Sequence, residues 1–311
     1  MLGKTAGGLF WMFRYLERSE NTARLIEAGF RIALTRPGSE EWASVLKTAA
    51  ADQSYGAQNE TVEQASVIDF LLRDPQNPSS VMSSIAQARQ NARLARTAIT
   101  REVWEAVNDA YMSMKARLAR PVAERDLPDV LGQIRQHSAL VRGALHGSML
   151  RNDVFDFCRA GTFLERADNT ARILDVKYYV LLPSVTQVGS SLDNVQWETI
   201  LRSVSGVRSY SWLNQGKATP RGIADFLIFD PRMPRSLRYS VTKIRSNLAM
   251  LEAEYFERHP CHDRVEKLDR NLTNGTVAAV FEDGLHEFLT EFLSDITRLG
   301  TEIQANYRFL E

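Results

Sequence analysis

An internal repeat constrains the fold of this 311-residue chain more than any other feature. Residues 16–27 recur as residues 164–175, with seven of the twelve positions identical and four more chemically alike. Later residues match in the same order, including Trp42 with Trp197, and a seven-residue insertion within residues 183–194 accounts for the change of offset. The repeat predicts two similar halves, about residues 1–153 and 154–311, packed about a pseudo-twofold axis.

The spacing of small and apolar residues predicts that both motifs are helical. Such residues recur three or four positions apart in each motif, which places them on one face of a helix. The first face comprises Met12, Leu16, Ser19, Ala23, Ile26, Phe30 and Ala33, and the second comprises Ala160, Leu164, Ala167, Ala171, Leu174, Tyr178 and Leu181. No sustained alternation of period two is present. The sequence therefore predicts an all-α helical bundle built from two pseudo-symmetric halves.

Prolines and long amphipathic stretches predict the remaining helix boundaries. Pro183 ends the second motif helix, whereas Asn77-Pro78 and Pro234 are typical of helix starts. Residues 81–99, 100–118, 127–150, 237–256 and 277–309 are predicted to be helical because they are rich in strong helix formers. The stretch 259–262 is predicted to be an exposed loop. No metal site is expected there, because its histidines lack a second ligand pair at a usual spacing.

Composition limits the partners and the compartment of the protein. The chain carries 38 basic and 38 acidic residues, so it has no long-range attraction for nucleic acids. No apolar run approaches the ~20 residues of a membrane span. Arg14 and Glu17 interrupt any secretory signal at the start of the chain, and the two cysteines fit a reducing compartment. We therefore expect a soluble cytoplasmic protein that binds neither nucleic acid nor membrane.

The repeated motif also carries acidic, amide and guanidinium groups at matching positions. These candidate site residues are Glu17, Arg18, Glu20, Asn21, Arg24, Glu165, Arg166, Asp168, Asn169 and Arg172. Leu25 and Ile173 lie on the same side of each helix, which indicates that this side contacts protein and that its charges are partly buried. Buried charges must be paired. Either the motifs satisfy each other in a structural network, or they leave a polar cavity whose arginines bind a carboxylate or phosphate.

At these residues the sequence resembles the alpha-E family, a predicted all-helical bacterial family named for its Glu-Arg motif. The resemblance rests on Thr5-Ala6, Leu9-Phe10-Trp11-Met12, Arg14-Tyr15-Leu16-Glu17-Arg18, Glu20-Asn21-Thr22-Ala23-Arg24 and the second motif at Glu165-Arg166. It covers essentially the whole chain and implies a single alpha-E domain over residues 1–311. Members are typically encoded beside, or fused to, a circularly permuted ATP-grasp protein and a transglutaminase-like protease. That neighbourhood implies ATP-driven peptide or amide-bond synthesis, with cleavage by the protease.

Two functions remain open at this point. The first is a helical accessory component of such a system, which binds a partner protein or presents a peptide. The residue spacings support it, because they assemble neither a nucleophile with its base, nor a metal cluster, nor a nucleotide loop, and no cofactor is expected. The second is a helical enzyme or small-ligand-binding protein. There Glu17 or Glu165 would act as a general acid or base, while Arg24 and Arg172 clamp an anionic substrate.

Overall fold

The computed structural model describes residues 1–35, 40–180, 191–214 and 218–310. All regular structure in these ranges is helical, which confirms the all-α prediction. The helices are α1 (Gly3–Thr35), α2 (Glu40–Thr48), α3 (Asp52–Gly56), α4 (Gln64–Leu72), α5 (Val81–Leu94), α6 (Arg101–Arg117), α7 (Leu127–Ser148), α8 (Asp153–Val180), α9 (Ser191–Ser203), α10 (Val207–Leu213), α11 (Pro220–Phe229), α12 (Leu237–Tyr255), α13 (Pro260–Asn274), α14 (Val277–Asp283) and α15 (Leu285–Asn306). Over the described ranges, we find no helix with both the length and the apolar character needed to cross a bilayer.

The two motif helices, α1 and α8, form the centre of the bundle. They pack against each other, α1 also packs against α5 and α7, and α8 also packs against α12 and α15. The predicted apolar faces are buried from Met12 to Ile26 and from Ala160 to Leu174, and Ser19 and Ala167 have no exposed surface. Phe30 and Ala33 are only partly buried, and the side chains of Tyr178 and Leu181 lie outside the described residues. Because other helices cover both motif helices on several sides, many of the polar residues of these helices are buried as well.

A glycine allows the two motif helices to approach closely. Gly161 of α8 lies against the backbone of Phe10 in α1, and a Cβ atom at this glycine would overlap the Phe10 carbonyl oxygen. The carbonyl carbon of Phe10 would lie only 3.0 Å from the same Cβ atom. Any side chain here would force the helices apart. The close contact lies one helical turn from Glu165, so it brings the two charged motifs within hydrogen-bonding reach.

The predicted starts of α5 and α12 were each about three residues too early. α5 begins at Val81, where the Ser80 hydroxyl accepts a hydrogen bond from the Ser83 amide. Ser236 caps α12 in the same way. Asn77, the expected cap, accepts from the Ser79 amide at 3.0 Å and donates from its side-chain amide to the Phe70 carbonyl at 3.1 Å, both outside α5. The serine hydroxyls therefore satisfy the first free amides, and the asparagine stabilises the preceding turn.

The predicted exposed loop at residues 259–262 was wrong. Pro260 occupies the first turn of α13, where its missing amide hydrogen costs no hydrogen bond. Cys261 and His262 are buried, and the His262 Nε2 atom lies 3.1 Å from the Leu248 carbonyl oxygen. The predicted helix 277–309 is likewise divided into α14 and α15 at Gly284, whose φ of 108° lies in the left-handed region.

The segment between α8 and α9 is only partly described. Pro183, at which the sequence predicts the end of α8, lies outside the described residues, as does most of the predicted insertion at residues 183–194. From Ser191 onward the chain is helical in α9. The last part of the region predicted to hold the insertion is therefore helical.

Candidate functional site

The two Glu-Arg pairs exchange partners between α1 and α8. The Arg166 guanidinium donates to both oxygens of Glu17, at 3.0 Å and 2.9 Å. Conversely, the Arg18 guanidinium donates to both oxygens of Glu165, at 2.5 Å and 3.0 Å. Each arginine thus forms a bidentate pair with the glutamate of the other motif, the strongest geometry for an arginine and a carboxylate. The structure brings these four predicted residues together as a paired network.

Three further arginines complete the pairing of the two glutamates. Arg235 Nη1 lies 2.9 Å from one Glu17 oxygen, and Arg142 Nη1 lies 3.5 Å from the other. Arg14 Nη2 lies 2.8 Å from Glu165. Because the side chains of Glu17 and Glu165 are 1% and 7% exposed, several positive charges are needed to offset the cost of their burial.

The second acidic residue of the first motif joins the same network. Glu20 pairs with Arg24 at 2.7 Å, as their four-residue spacing predicts, and with Arg235 at 2.9 Å. Arg142 also donates to Glu20. Asn21 accepts a hydrogen bond from Arg235 through its side-chain oxygen, at 2.9 Å. The first motif is therefore connected to α7 and to the start of α12.

The corresponding residues of the second motif are more exposed. Asp168 pairs with Arg172 at 2.7 Å, with side chains 21% and 34% exposed, whereas Glu20 is 1% exposed. Within the described ranges, the Asn169 side chain makes no hydrogen bond. These residues line the edge of the network, so the two motifs have the same order of residues but different environments.

A small cavity lies between α1, α2 and α8, beside these residues of the second motif. We call it the motif cavity; it has a volume of about 200 Å³ and opens to solvent. Its lining includes Arg18, Asn21, Glu165, Asp168, Asn169 and Arg172. The side-chain amide nitrogen of Asn21 is buried and has no hydrogen-bond partner. Such an unpaired donor costs free energy unless a ligand or water accepts from it.

The buried ion pairs fix the charge of the motif carboxylates. Burial alone would raise the pKa of Glu17, but Arg166 and Arg235 outweigh burial and hold this pKa well below its usual range. The pKa values of Glu20 and Glu165 are lowered for the same reason. Burial lowers the pKa of Arg235 to about 10, although Glu17 opposes the shift. At neutral pH all these groups are charged, so the carboxylates are poor proton donors and acceptors.

Comparison with known proteins identifies the family. Residues 1–308 match the family described as Alpha-E, a predicted alpha-helical domain with a conserved ER motif. This chain belongs to the Alpha-E family. Its Glu17-Arg18 and Glu165-Arg166 pairs are the two ER sequences that exchange partners in the core.

Two relatives of this Alpha-E chain are longer proteins. The uncharacterized proteins Mb2597 of Mycobacterium bovis and Rv2567 of Mycobacterium tuberculosis are 23% and 22% identical to it over 312 residues. Each match covers 93% of this chain and 34% of the relative. The Alpha-E chain thus spans about a third of the length of these curated relatives. No solved structure matches it.

The candidate site residues left out three arginines of the Alpha-E network, of which Arg14 lies in the first motif helix itself and Arg142 and Arg235 lie elsewhere. Arg142 lies on α7 and Arg235 immediately precedes α12, both far from the motifs in sequence. Arg235 corresponds to Ser79 in the repeat, and Arg142 lies outside the matched positions. The sequence contained one indication that further arginines were needed. Glu17 and Glu20 lie one helical turn apart on a side expected to be covered, and two buried carboxylates require more positive charge than Arg18 and Arg24 supply.

We expect acid to destabilise the Alpha-E fold through these carboxylates. Glu17, Glu20 and Glu165 have folded-state pKa values below the ordinary value of 4.5. Their stabilisation is therefore complete above about pH 5 and is lost as pH falls through the lowered values. Melting temperatures measured by circular dichroism should fall steeply below about pH 4.5, and less steeply in Glu165→Gln. Identical pH profiles for both proteins would contradict this assignment.

Proposed function

We propose that this Alpha-E protein is a non-catalytic helical component that binds a partner protein in a peptide-synthesis or peptide-modification system. The partners are the ATP-grasp protein and the transglutaminase-like protease that the family resemblance implies. An exposed apolar surface at one end of the bundle carries the proposal. The cytoplasm is the proposed compartment, because the protein's two cysteines are free thiols and ATP-driven ligation needs a supply of ATP.

This apolar end lies where α1 begins and where α5, α7, α12 and α15 finish. Its exposed residues are Leu2, Leu94, Leu150, Phe256 and Leu310. The Met1 amine lies 2.9 Å from the Tyr255 hydroxyl and 3.5 Å from Asp153, which follows α7. Gly3 contacts the backbone of Arg308, and Gly8 lies against Leu94, so the ends of these helices lie close together. Several large apolar side chains exposed at one end of a protein are typical of a protein-binding surface.

Phe256 is the most unusual residue of the apolar end. It follows the last residue of α12 with a φ of 54°, a left-handed conformation that favours glycine. Its side chain is 94% exposed, so contacts within the chain do not compensate for the strain. An aromatic residue in a glycine position, directed into water, is expected where the side chain makes a contact with another protein.

Two other observations support a binding role over catalysis by the motif. Glu17 and Glu165 are each held ionised by several arginines, which counts against either residue as a general acid or base. In the mycobacterial relatives, the region that matches this chain makes up about a third of the protein. That proportion supports a role as one module that works beside others.

We also propose that the chain consists of two copies of one helical unit. The reciprocal pairs Glu17 with Arg166 and Glu165 with Arg18 support this origin. So do the matching serine caps of α5 and α12. Ala50 and Ser205, which correspond in the repeat, both have a left-handed φ, of 51° and 55°.

We test the partner proposal with Phe256→Gly. Glycine adopts the left-handed conformation without strain, so the variant should melt at or above the wild-type temperature. Loss of the aromatic anchor should nevertheless weaken co-purification with the neighbouring ATP-grasp protein by at least about tenfold. Peptide ligation by the ATP-grasp protein, measured with and without each variant, should fall in parallel.

A matched control removes an exposed apolar side chain outside the apolar end. Met112, 54% exposed on α6, serves this purpose as Met112→Ser, which should bind the partner like the wild type. The proposal is wrong if the wild-type chain does not co-purify with the ATP-grasp protein. It is equally wrong if Phe256→Gly and Leu150→Ser both bind as tightly as Met112→Ser.

The unpaired Asn21 amide favours one alternative, a small polar ligand bound in the motif cavity. Asn169→Ala tests it, because this change alters the cavity lining and leaves every ion pair of the network intact. Lost ligation activity with unchanged co-purification would favour the ligand site. Unchanged ligation activity would favour the partner-binding role alone.

A further inference from the structure

A larger cavity lies on the opposite side of α1 from the motif cavity. We call it the basic cavity; it is an open cleft of about 620 Å³ between α1, α7 and the segment from α9 to α10. Its arginines are Arg24, Arg31, Arg135, Arg142, Arg202 and Arg208. Glu20 and Glu27 are the carboxylates among its described lining residues. Its volume falls within the range of small-molecule sites.

The carboxylates near the basic cavity do not balance its arginines. Glu27 pairs with both Arg31 and Arg135. Glu20 is shared among three arginines, one of which, Arg235, lies outside the cavity lining. Glu198 pairs with Arg202 from outside the lining, and Arg142 also contacts Glu17. Among the described residues, six arginines of the cavity thus face four carboxylates, and Glu17 and Glu20 are also shared with Arg235. At least two positive charges of the described lining therefore remain uncompensated.

Arg208 and Arg135 illustrate the excess of positive charge in the basic cavity. Arg208 makes no ion pair with any residue that the structure describes. Arg135 has a lowered pKa because it is partly buried and because the Arg24 cation lies nearby. Arg24 is fixed by two hydrogen bonds to Glu20 and one to the Ser205 hydroxyl at 2.6 Å. Like charges held together in a partly buried cleft repel one another, and a bound anion would remove this repulsion.

We propose that the basic cavity binds a compact polyanion through several phosphate or carboxylate oxygens. Arginine guanidinium groups bind both kinds of oxygen in bidentate geometry. The apolar part of the lining consists of small side chains, Ala28, Ala139 and Val207, and no described lining residue is aromatic. The cavity therefore lacks a stacking surface for a nucleobase, which favours a ligand without an aromatic body.

Anion binding in the basic cavity involves neither the apolar end nor a partner protein. It concerns a different face of the bundle, and a small-molecule titration of the isolated chain tests it. Its failure would leave the proposed partner binding unaffected.

Isothermal titration with tripolyphosphate and with citrate tests the proposal. We expect saturable 1:1 binding of at least one of these anions, weakened by added salt. Preference for tripolyphosphate identifies a phosphate ligand, and preference for citrate identifies a carboxylate ligand. Arg208→Gln and Arg135→Gln should each raise the dissociation constant about tenfold, because each removes a charge-assisted hydrogen bond.

The matched control is Arg101→Gln, which removes one positive charge from the exposed start of α6. It should bind the anions like the wild type. Arg208→Gln keeps the test interpretable, since Arg208 is exposed and unpaired among the described residues and its loss should not affect folding. The absence of saturable binding to both anions would overturn the proposal. Equal weakening by Arg101→Gln and Arg208→Gln would also overturn it, because only a general charge effect would remain.

Discussion

Glu17→Gln is expected to lower the free energy of unfolding by about 3–5 kcal/mol. Glu17 is 1% exposed, and it neutralises both Arg166 and Arg235, which are themselves 8% and 7% exposed. Glutamine preserves the shape of the side chain, but it leaves the two guanidinium groups buried without their shared counter-charge. Removing one partner of a buried ion pair costs more than the pair contributes, because the remaining charge stays desolvated.

Urea unfolding followed by circular dichroism measures this loss. Glu105→Gln is the matched control, because it makes the same change in an exposed pair with Arg101. An exposed pair contributes little, so the control should change stability by less than about 1 kcal/mol. If Glu17→Gln were as stable as this control, the motif glutamate would not be part of a buried network.

Gly161→Ala is expected to destabilise the protein by about 1–3 kcal/mol. The added methyl group would overlap the Phe10 carbonyl oxygen, an atom fixed within α1, so the two motif helices would have to separate. Separation would also lengthen the ion pairs between α1 and α8. The loss would therefore include part of the network as well as the packing of the helix crossing.

A second glycine provides the matched control for this change. Gly143 lies in α7 with no atom within 4 Å of the position its Cβ would take. Gly143→Ala should raise stability by about 0.5–1 kcal/mol, because alanine is the better helix former. Thermal unfolding of both variants compares the two effects. Stabilisation by both substitutions would contradict the close approach of the motif helices.

The sequence predicted the centre of this fold because the repeat combines two independent signals. Helical spacing of residues such as Leu16 and Leu164 defined the buried faces. The presence of Leu25 beside the charged residues indicated that the polar side was also covered by protein. Together these signals predicted that Glu17 and Glu165 would need buried positive partners, and the structure brings each glutamate to the arginine of the other motif.

Other features depended on tertiary contacts that the pattern does not encode. Arg142 and Arg235 reach the network from α7 and from the start of α12, and neither lies within the repeated motif. The buried position of His262 depends on the packing of α13 against α12, whereas its local sequence resembles a loop. Ser80 rather than Asn77 caps α5, and the Asn77 side chain joins Phe70 to Ser79 across the preceding turn. In each case a contact between elements outweighed a local preference.

A double-mutant cycle between Glu17 and Arg166 tests the central claim most directly. If each motif glutamate is paired with the arginine of the opposite motif, Glu17→Gln and Arg166→Gln should be coupled by about 1–3 kcal/mol in the free energy of unfolding. Glu17→Gln combined with Arg18→Gln should show a clearly smaller coupling, since Arg18 pairs with Glu165. Additivity of Glu17 and Arg166 within about 0.5 kcal/mol, or equal coupling of Glu17 to both arginines, would contradict the exchange of partners.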